Sequence, residues 1–359
     1  MFLHKNFFFN LLLIISSTFF IFFVLEILLI LFGPYNNLAK TNLNPSISVY
    51  ERPLSSYQKQ KHPDLNYINT YFFDYEGVQN KDFNSLLASE QKNIIGFFGD
   101  SMIENIFVDP KYNFVNLLNS KIISEDKIIN FGVGGYSLDQ TFLRYMKYSN
   151  YDFKIVICYI NPGDNVTRGI LKFDNNDGYE IINPKFSYFE KFIGRLNISY
   201  FTIDAFYKIR ANFFENHTLI DKSNYNKILS NRFYRNKYNS NQAIEDKNNF
   251  VKILRVFKQE VERQNSKFII LLYPDENLIN FFKSAIDINN FYLDYYVLNS
   301  ELSENSALRF KNDGHWNEMG NIKLSQNIIN IFKDYPVKFS NDDFTDILLD
   351  LKIFYEVNR

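Results

Sequence analysis

The chain of 359 residues sets 39 Lys and Arg against 40 Asp and Glu, a formal charge of −1, so no basic face for a polyanion is implied. Apolar residues at 46% against 22% charged are enough for a buried core and exclude global disorder. A single cysteine, Cys158, excludes an intramolecular disulfide framework and any multi-cysteine metal site.

The first predicted element is Phe7–Phe32, interrupted only by Asn10, Ser16, Ser17, Thr18 and Glu26. At about 1.5 Å per residue it reaches roughly 39 Å, enough to cross a hydrocarbon core of about 30 Å. Glu26 costs about 2.5–3.5 kcal/mol at the centre of a span, and each Leu, Ile or Phe returns about 0.3–0.6, so the apolar majority prevails. A cleaved signal peptide has an apolar region of about 7–15 residues and small residues at its cleavage site. This run is longer, and Leu31-Phe32-Gly33-Pro34-Tyr35 holds no small-x-small pattern. The segment is therefore expected to be a single membrane anchor. His4 and Lys5 on one side nearly balance Lys40 and Arg52 on the other. The placement of the body outside the cytoplasm, in a periplasm or at the cell surface, rests on the chemistry that follows.

Residues 33–92 are mixed and polar, punctuated by Pro34, Pro45, Pro53 and Pro63, and predict a stalk and an edge elaboration. From residue 93 short apolar runs alternate with helix-length segments. Ile94–Phe98 predicts a buried strand, Phe114–Ile123 a helix and Lys127–Phe131 a second strand. Leu138–Tyr148 predicts a helix and Lys154–Ile160 a third strand. An insertion of about 162–242 follows, with helical patterns around Phe186–Phe214, then a helix over Ala243–Gln264 and a fourth strand over Lys267–Tyr273. A last helix is expected from about Trp316 to Phe332, before a tail, 334–359. Near-continuous apolar strands alternating with helices predict an α/β fold for 93–333, a three-layer α/β/α sandwich around a parallel central sheet. Reactive groups in such sheets lie beyond the carboxyl ends of the strands.

The first strand ends in Gly99-Asp100-Ser101-Met102. A serine at a strand-to-helix turn is held rigidly beside backbone N–H donors, a favourable seat for a nucleophile, although serine also serves there as a plain helix cap. The second strand is followed by Gly132-Val133-Gly134-Gly135-Tyr136, which lets backbone approach a ligand closely and lacks the last glycine of a dinucleotide fingerprint. The third ends in Asn161-Pro162-Gly163-Asp164-Asn165, which brings an amide donor to the same rim. Of four histidines, only His315 sits beside a carboxylate, Asp313, in a loop at this edge. A base needs a group that orients its ring, and Asp-x-His supplies both from one loop. No metal-binding histidine spacing occurs, and no cofactor is expected.

These stretches resemble the blocks of the SGNH or GDSL-type serine hydrolases, over about Asn93 to Phe332 with the insertion unmatched. The resemblance implies a flavodoxin-like sheet and Ser101 as nucleophile. It implies an oxyanion hole from Ser101, Gly135 and Asn161, and a triad completed by His315 and Asp313. The family's third block is Gly-x-Asn-Asp, whereas Asn161 is followed by Pro162, with Asn165 as the rival position. The family's usual Asp-x-x-His is here Asp313-Gly314-His315. Asp-x-His-Trp is more similar to membrane-linked relatives that acetylate polysaccharides, and the late Glu of the first helix resembles membrane-anchored bacterial members.

The expectation is a membrane-anchored serine esterase acting on an O-acyl ester of a glycan or lipid. Two alternatives remain: an O-acyltransferase that modifies a polysaccharide, and a non-catalytic, tethered glycan-binding scaffold. No nucleic-acid partner is expected.

Overall fold

The computed structural model describes residues 2–32, 42–44, 49–52, 56–73, 78–79, 93–162, 171–173, 178–181, 240–311, 313–340 and 343–358. They fall into two compact units, one holding residues 2–32 and the other holding the described residues from 42 to 358.

In the first unit, α1 (Phe2–Phe32) is one unbroken helix. Its stretch Phe9–Leu28 has a mean hydropathy of 2.6 and none of it is buried, so it is long and apolar enough to cross a membrane. The hydroxyls of Ser16, Ser17 and Thr18 donate back to the carbonyls of Leu12 and Ile14. Such bonds satisfy polar groups inside an apolar run without a partner helix.

The second unit opens with two antiparallel pairs, β1 (Asn42–Asn44) with β2 (Val49–Glu51) and β3 (Ser56–Lys61) with β4 (Ile68–Phe73). The α/β body follows. Strand β5 (Ile94–Phe98) leads into α2 (Ser101–Glu104), α3 (Phe114–Lys121), β6 (Lys127–Asn130), α4 (Leu138–Tyr148) and β7 (Phe153–Ile160). After the short hairpin β8 (Leu171–Phe173) and β9 (Tyr179–Ile181) come α5 (Ser240–Arg263), β10 (Lys267–Leu272), α6 (Glu276–Ile288) and β11 (Tyr295–Val297). The chain closes with α7 (Glu301–Glu304), α8 (Glu318–Phe332) and α9 (Thr345–Asn358).

Five parallel strands form the central sheet in the order β11-β10-β7-β5-β6. All five residues of β5 are buried, as expected of an inner strand with no polar face. From β5 the chain moves outward to β6 and then returns to β7 on the opposite side. That reversal opens a crevice at the carboxyl ends of β5 and β7. In the register Phe98 lies beside Cys158, two residues before the end of β7, and Leu272 of β10 lies beside Ile160.

Several elements differ from the sequence reading. The described residues of the expected stalk and edge elaboration lie in the same compact unit as the sheet, and Glu51, Arg52 and His62 among them are buried. Glu51 accepts from Arg144 Nη1 at 3.1 Å and from Lys147 Nζ at 2.9 Å, which ties β2 to α4. His62, placed in that stalk by the sequence, is a core residue. Its Nδ1 accepts the N–H groups of Asp64 and Leu65, so Nε2 carries the proton and donates to Glu318 Oε1 at 3.1 Å. The edge strand β11 and helix α6 were not anticipated. The expected tail contains α9, whose Leu351 is buried and whose Tyr355 hydroxyl donates to Glu318 at 2.6 Å. The last long helix starts at Glu318 rather than Trp316 because the Asn317 side chain accepts the Gly320 N–H and caps it. Of the insertion, Leu171–Phe173 and Tyr179–Ile181 form the hairpin β8–β9, and residues 240–242 already belong to α5. The helical patterns around Phe186–Phe214 lie outside the described residues.

Candidate active site

Ser101 opens α2 directly behind β5, but it is not the cap. Asp100 takes that role, accepting the Met102 N–H on Oδ1 at 2.9 Å. The Ser101 hydroxyl is left to the crevice, where it lies 2.7 Å from His315 Nε2.

The other ring nitrogen, Nδ1, contacts Asp313 Oδ1, which also accepts the His315 backbone N–H at 2.8 Å. An ionised carboxylate only accepts, so Nδ1 carries a proton, and in the neutral ring Nε2 is the free base to which the serine hydroxyl donates. Burial pushes the Asp313 carboxyl up, but the hydrogen bonds and charge of His315 outweigh that and hold it below the ordinary aspartate value. Nor is Asp313 a helix cap, since Asn317 caps α8.

The two halves of this arrangement come from opposite ends of the sequence, and polar ties hold them in register. Asn105, which ends α2 at φ 48, donates from Nδ2 to Asn321 Oδ1 on α8 at 2.7 Å. The same oxygen accepts the Phe114 N–H at 3.0 Å. Phe107 lays its ring 4.6 Å from that of His315, forming an apolar wall on one side of the base.

The glycine loop after β6 packs against α2. A Cβ at Gly132 would meet the Glu104 backbone nitrogen at 2.5 Å, so only glycine permits this approach. Gly135 has φ 77, in the left-handed region that glycine enters without strain. Asn161, just beyond β7, donates from Nδ2 to Asp100 Oδ2 at 3.0 Å. One carboxylate therefore caps the turn that carries Ser101 and holds the Asn161 amide at its rim. Asn165, the rival position, lies outside the described residues.

The structure thus brings Ser101, His315 and Asp313 into one hydrogen-bonded chain, with Asn161 tied to the same turn. Sequence reasoning missed Glu104 and Arg52, which lie behind that turn. Cys158 is fully buried in β7, and desolvation pushes its thiol well above the usual range. Among the described residues, no group of three or more His, Cys, Asp or Glu side chains is placed to hold a metal ion. No protein-family model matches the chain, and no curated protein matches it.

Proposed function

We propose that the protein is a serine esterase of the SGNH type, held at a membrane by α1 with its body outside the cytoplasm, that cleaves O-acyl esters through an acyl-enzyme. The observation that carries this is the Ser101–His315–Asp313 chain at the crevice beside β5, with the hydroxyl 2.7 Å from the free base. The strand order supports a three-layer sandwich, because right-handed crossovers on either side of β5 send their helices to opposite faces.

In this reading Ser101 Oγ attacks the acyl carbon as its proton passes to His315 Nε2. The Asp313 carboxylate holds the ring and stabilises the imidazolium. The carbonyl electron pair becomes an oxyanion, bound by the N–H groups of Ser101 and Gly135 and by the Asn161 amide. Collapse expels the alcohol, which takes the proton from Nε2 and leaves Ser101 acylated. Water activated by the same nitrogen then releases the acid.

Asn161→Ala is expected to lower kcat by about 10²–10³-fold, the usual effect of losing one oxyanion donor. Steady-state hydrolysis of p-nitrophenyl acetate checks this, and an unchanged rate removes Asn161 from the role. The reading as a whole is tested on the full chain in detergent micelles. A fluorophosphonate probe should label one residue, mapped by peptide mass spectrometry to Ser101. An unlabelled protein sinks the enzyme in favour of a binding scaffold. Incubation with an acylated glycan should remove acyl mass. Gain of acyl mass by a bare glycan in the presence of an acyl donor would instead make the protein a transferase.

A further inference from the structure

A buried ion pair lies directly behind the nucleophile and enters none of the steps above. Arg52, immediately after β2, donates from both Nε and Nη2 to Glu104, the last residue of α2, with Nη2 to Oε2 at 2.6 Å. The two are only 6% and 1% exposed. Glu104 Oε2 also accepts the N–H of Gly134 at 2.9 Å. A Cβ at Gly134 would fall 3.0 Å from Glu104 Oε2, 3.5 Å from Ser101 Cβ and 3.6 Å from Arg52 Nη2. Carboxylate, guanidinium and nucleophile therefore converge on one residue, the neighbour of Gly135.

This placement poses an electrostatic problem. Fixing Gly134 through its N–H orients the next peptide, whose N–H belongs to Gly135. Yet a carboxylate this close to a developing oxyanion opposes the reaction, because charges interact strongly where water is sparse. The anchor is compatible with catalysis only if its charge is cancelled where it stands. A two-pronged guanidinium does that and also fixes the carboxylate plane.

We propose that Arg52 is a positioning residue for the acyl chemistry: it neutralises Glu104, which can then hold the Gly134–Gly135 loop without repelling the oxyanion. This rests on the serine-esterase reading of the same site. It also makes the segment between α1 and the sheet part of the working centre. The adjacent Glu51 is itself pinned by Arg144 and Lys147, so β2 is fastened next to the pair.

The test uses the full chain in detergent micelles, with p-nitrophenyl acetate for turnover and a fluorophosphonate for labelling. Arg52→Gln leaves Glu104 uncompensated, and kcat is expected to fall about tenfold or more, the equivalent of about 1.4 kcal/mol or more, with KM little changed. Glu104→Gln keeps an acceptor for Gly134 without the charge, and its kcat should stay within about threefold of wild type. Adding Glu104→Gln to Arg52→Gln should restore most of the lost rate. A merely structural pair gives the opposite result, with the double variant no faster than Arg52→Gln. That outcome overturns the proposal, as does an unchanged kcat in Arg52→Gln. If Arg52→Gln does not fold, Glu104→Gln against Glu104→Ala decides. The charge-free acceptor should retain the rate and the alanine should lose about tenfold, and equal rates overturn the role. A wild-type protein inert to both reagents overturns the esterase reading itself, and this role with it.

Discussion

Ser101→Ala is expected to lower kcat for p-nitrophenyl acetate by about 10⁴-fold or more and to abolish fluorophosphonate labelling, while the protein remains folded. The size follows from what the hydroxyl does. In the proposed reaction its oxygen bonds to the acyl carbon, so its loss removes the covalent route and leaves only binding and oxyanion stabilisation to act on water. The fold should tolerate the change for a local reason. Asp100, not Ser101, caps α2, so alanine at the first helical position disturbs neither the turn nor the Asp100–Asn161 hydrogen bond. Turnover and labelling of the full chain, with a melting curve as control, make the measurement. Wild-type rates in a folded Ser101→Ala protein would remove the nucleophile and with it the proposed chemistry.

That serine was visible in the sequence because the pattern that marks it is local. The buried run Ile94–Phe98 specifies β5, Gly99-Asp100-Ser101 follows it directly, and the topology of parallel sheets says which end of the strand matters. The same holds for Asp313 and His315, two residues apart in one loop. The supporting groups were not legible, and the reason is physical. Glu104 looks like an ordinary polar residue of a first helical turn, and Arg52 like one charge in a polar linker. Their pairing spans 52 positions and leaves no local pattern. His62 and Glu318 are further apart still. Charges such as Glu51 and Arg52, buried against partners elsewhere, leave the same composition as exposed ones, which is why residues 33–92 read as a stalk and an edge elaboration. Strand β11 was missed for another reason. With three residues, Tyr-Tyr-Val, and one neighbouring strand, it is too short for any periodicity to register.

Asp313→Asn separates the geometry of the site from its charge, and it is expected to lower kcat by about 10⁴-fold at neutral pH. The carboxylate accepts from both the ring Nδ1 and the His315 backbone N–H. An amide turned to keep the backbone bond through its oxygen presents that oxygen to the ring much as before. An amide turned the other way donates to Nδ1, forcing the ring proton onto Nε2, where it faces Ser101 and blocks proton uptake. Either way the negative charge that stabilises the imidazolium is gone. The wild-type carboxyl is held below the ordinary aspartate value, so the folded state binds its proton less tightly than the unfolded chain does. Its contribution to stability is therefore complete above the ordinary aspartate pKa and is lost as pH falls through the depressed folded value. Asp313→Asn should remove that part of the acid sensitivity. The fall in melting temperature between neutral pH and the low-carboxylate range should be shallower than in wild type. Rate assays at neutral pH paired with melting curves down the acid limb measure both effects. If kcat survives, the ring needs no ionised partner. If the acid limb is unchanged while kcat collapses, the carboxylate serves the reaction and not the fold.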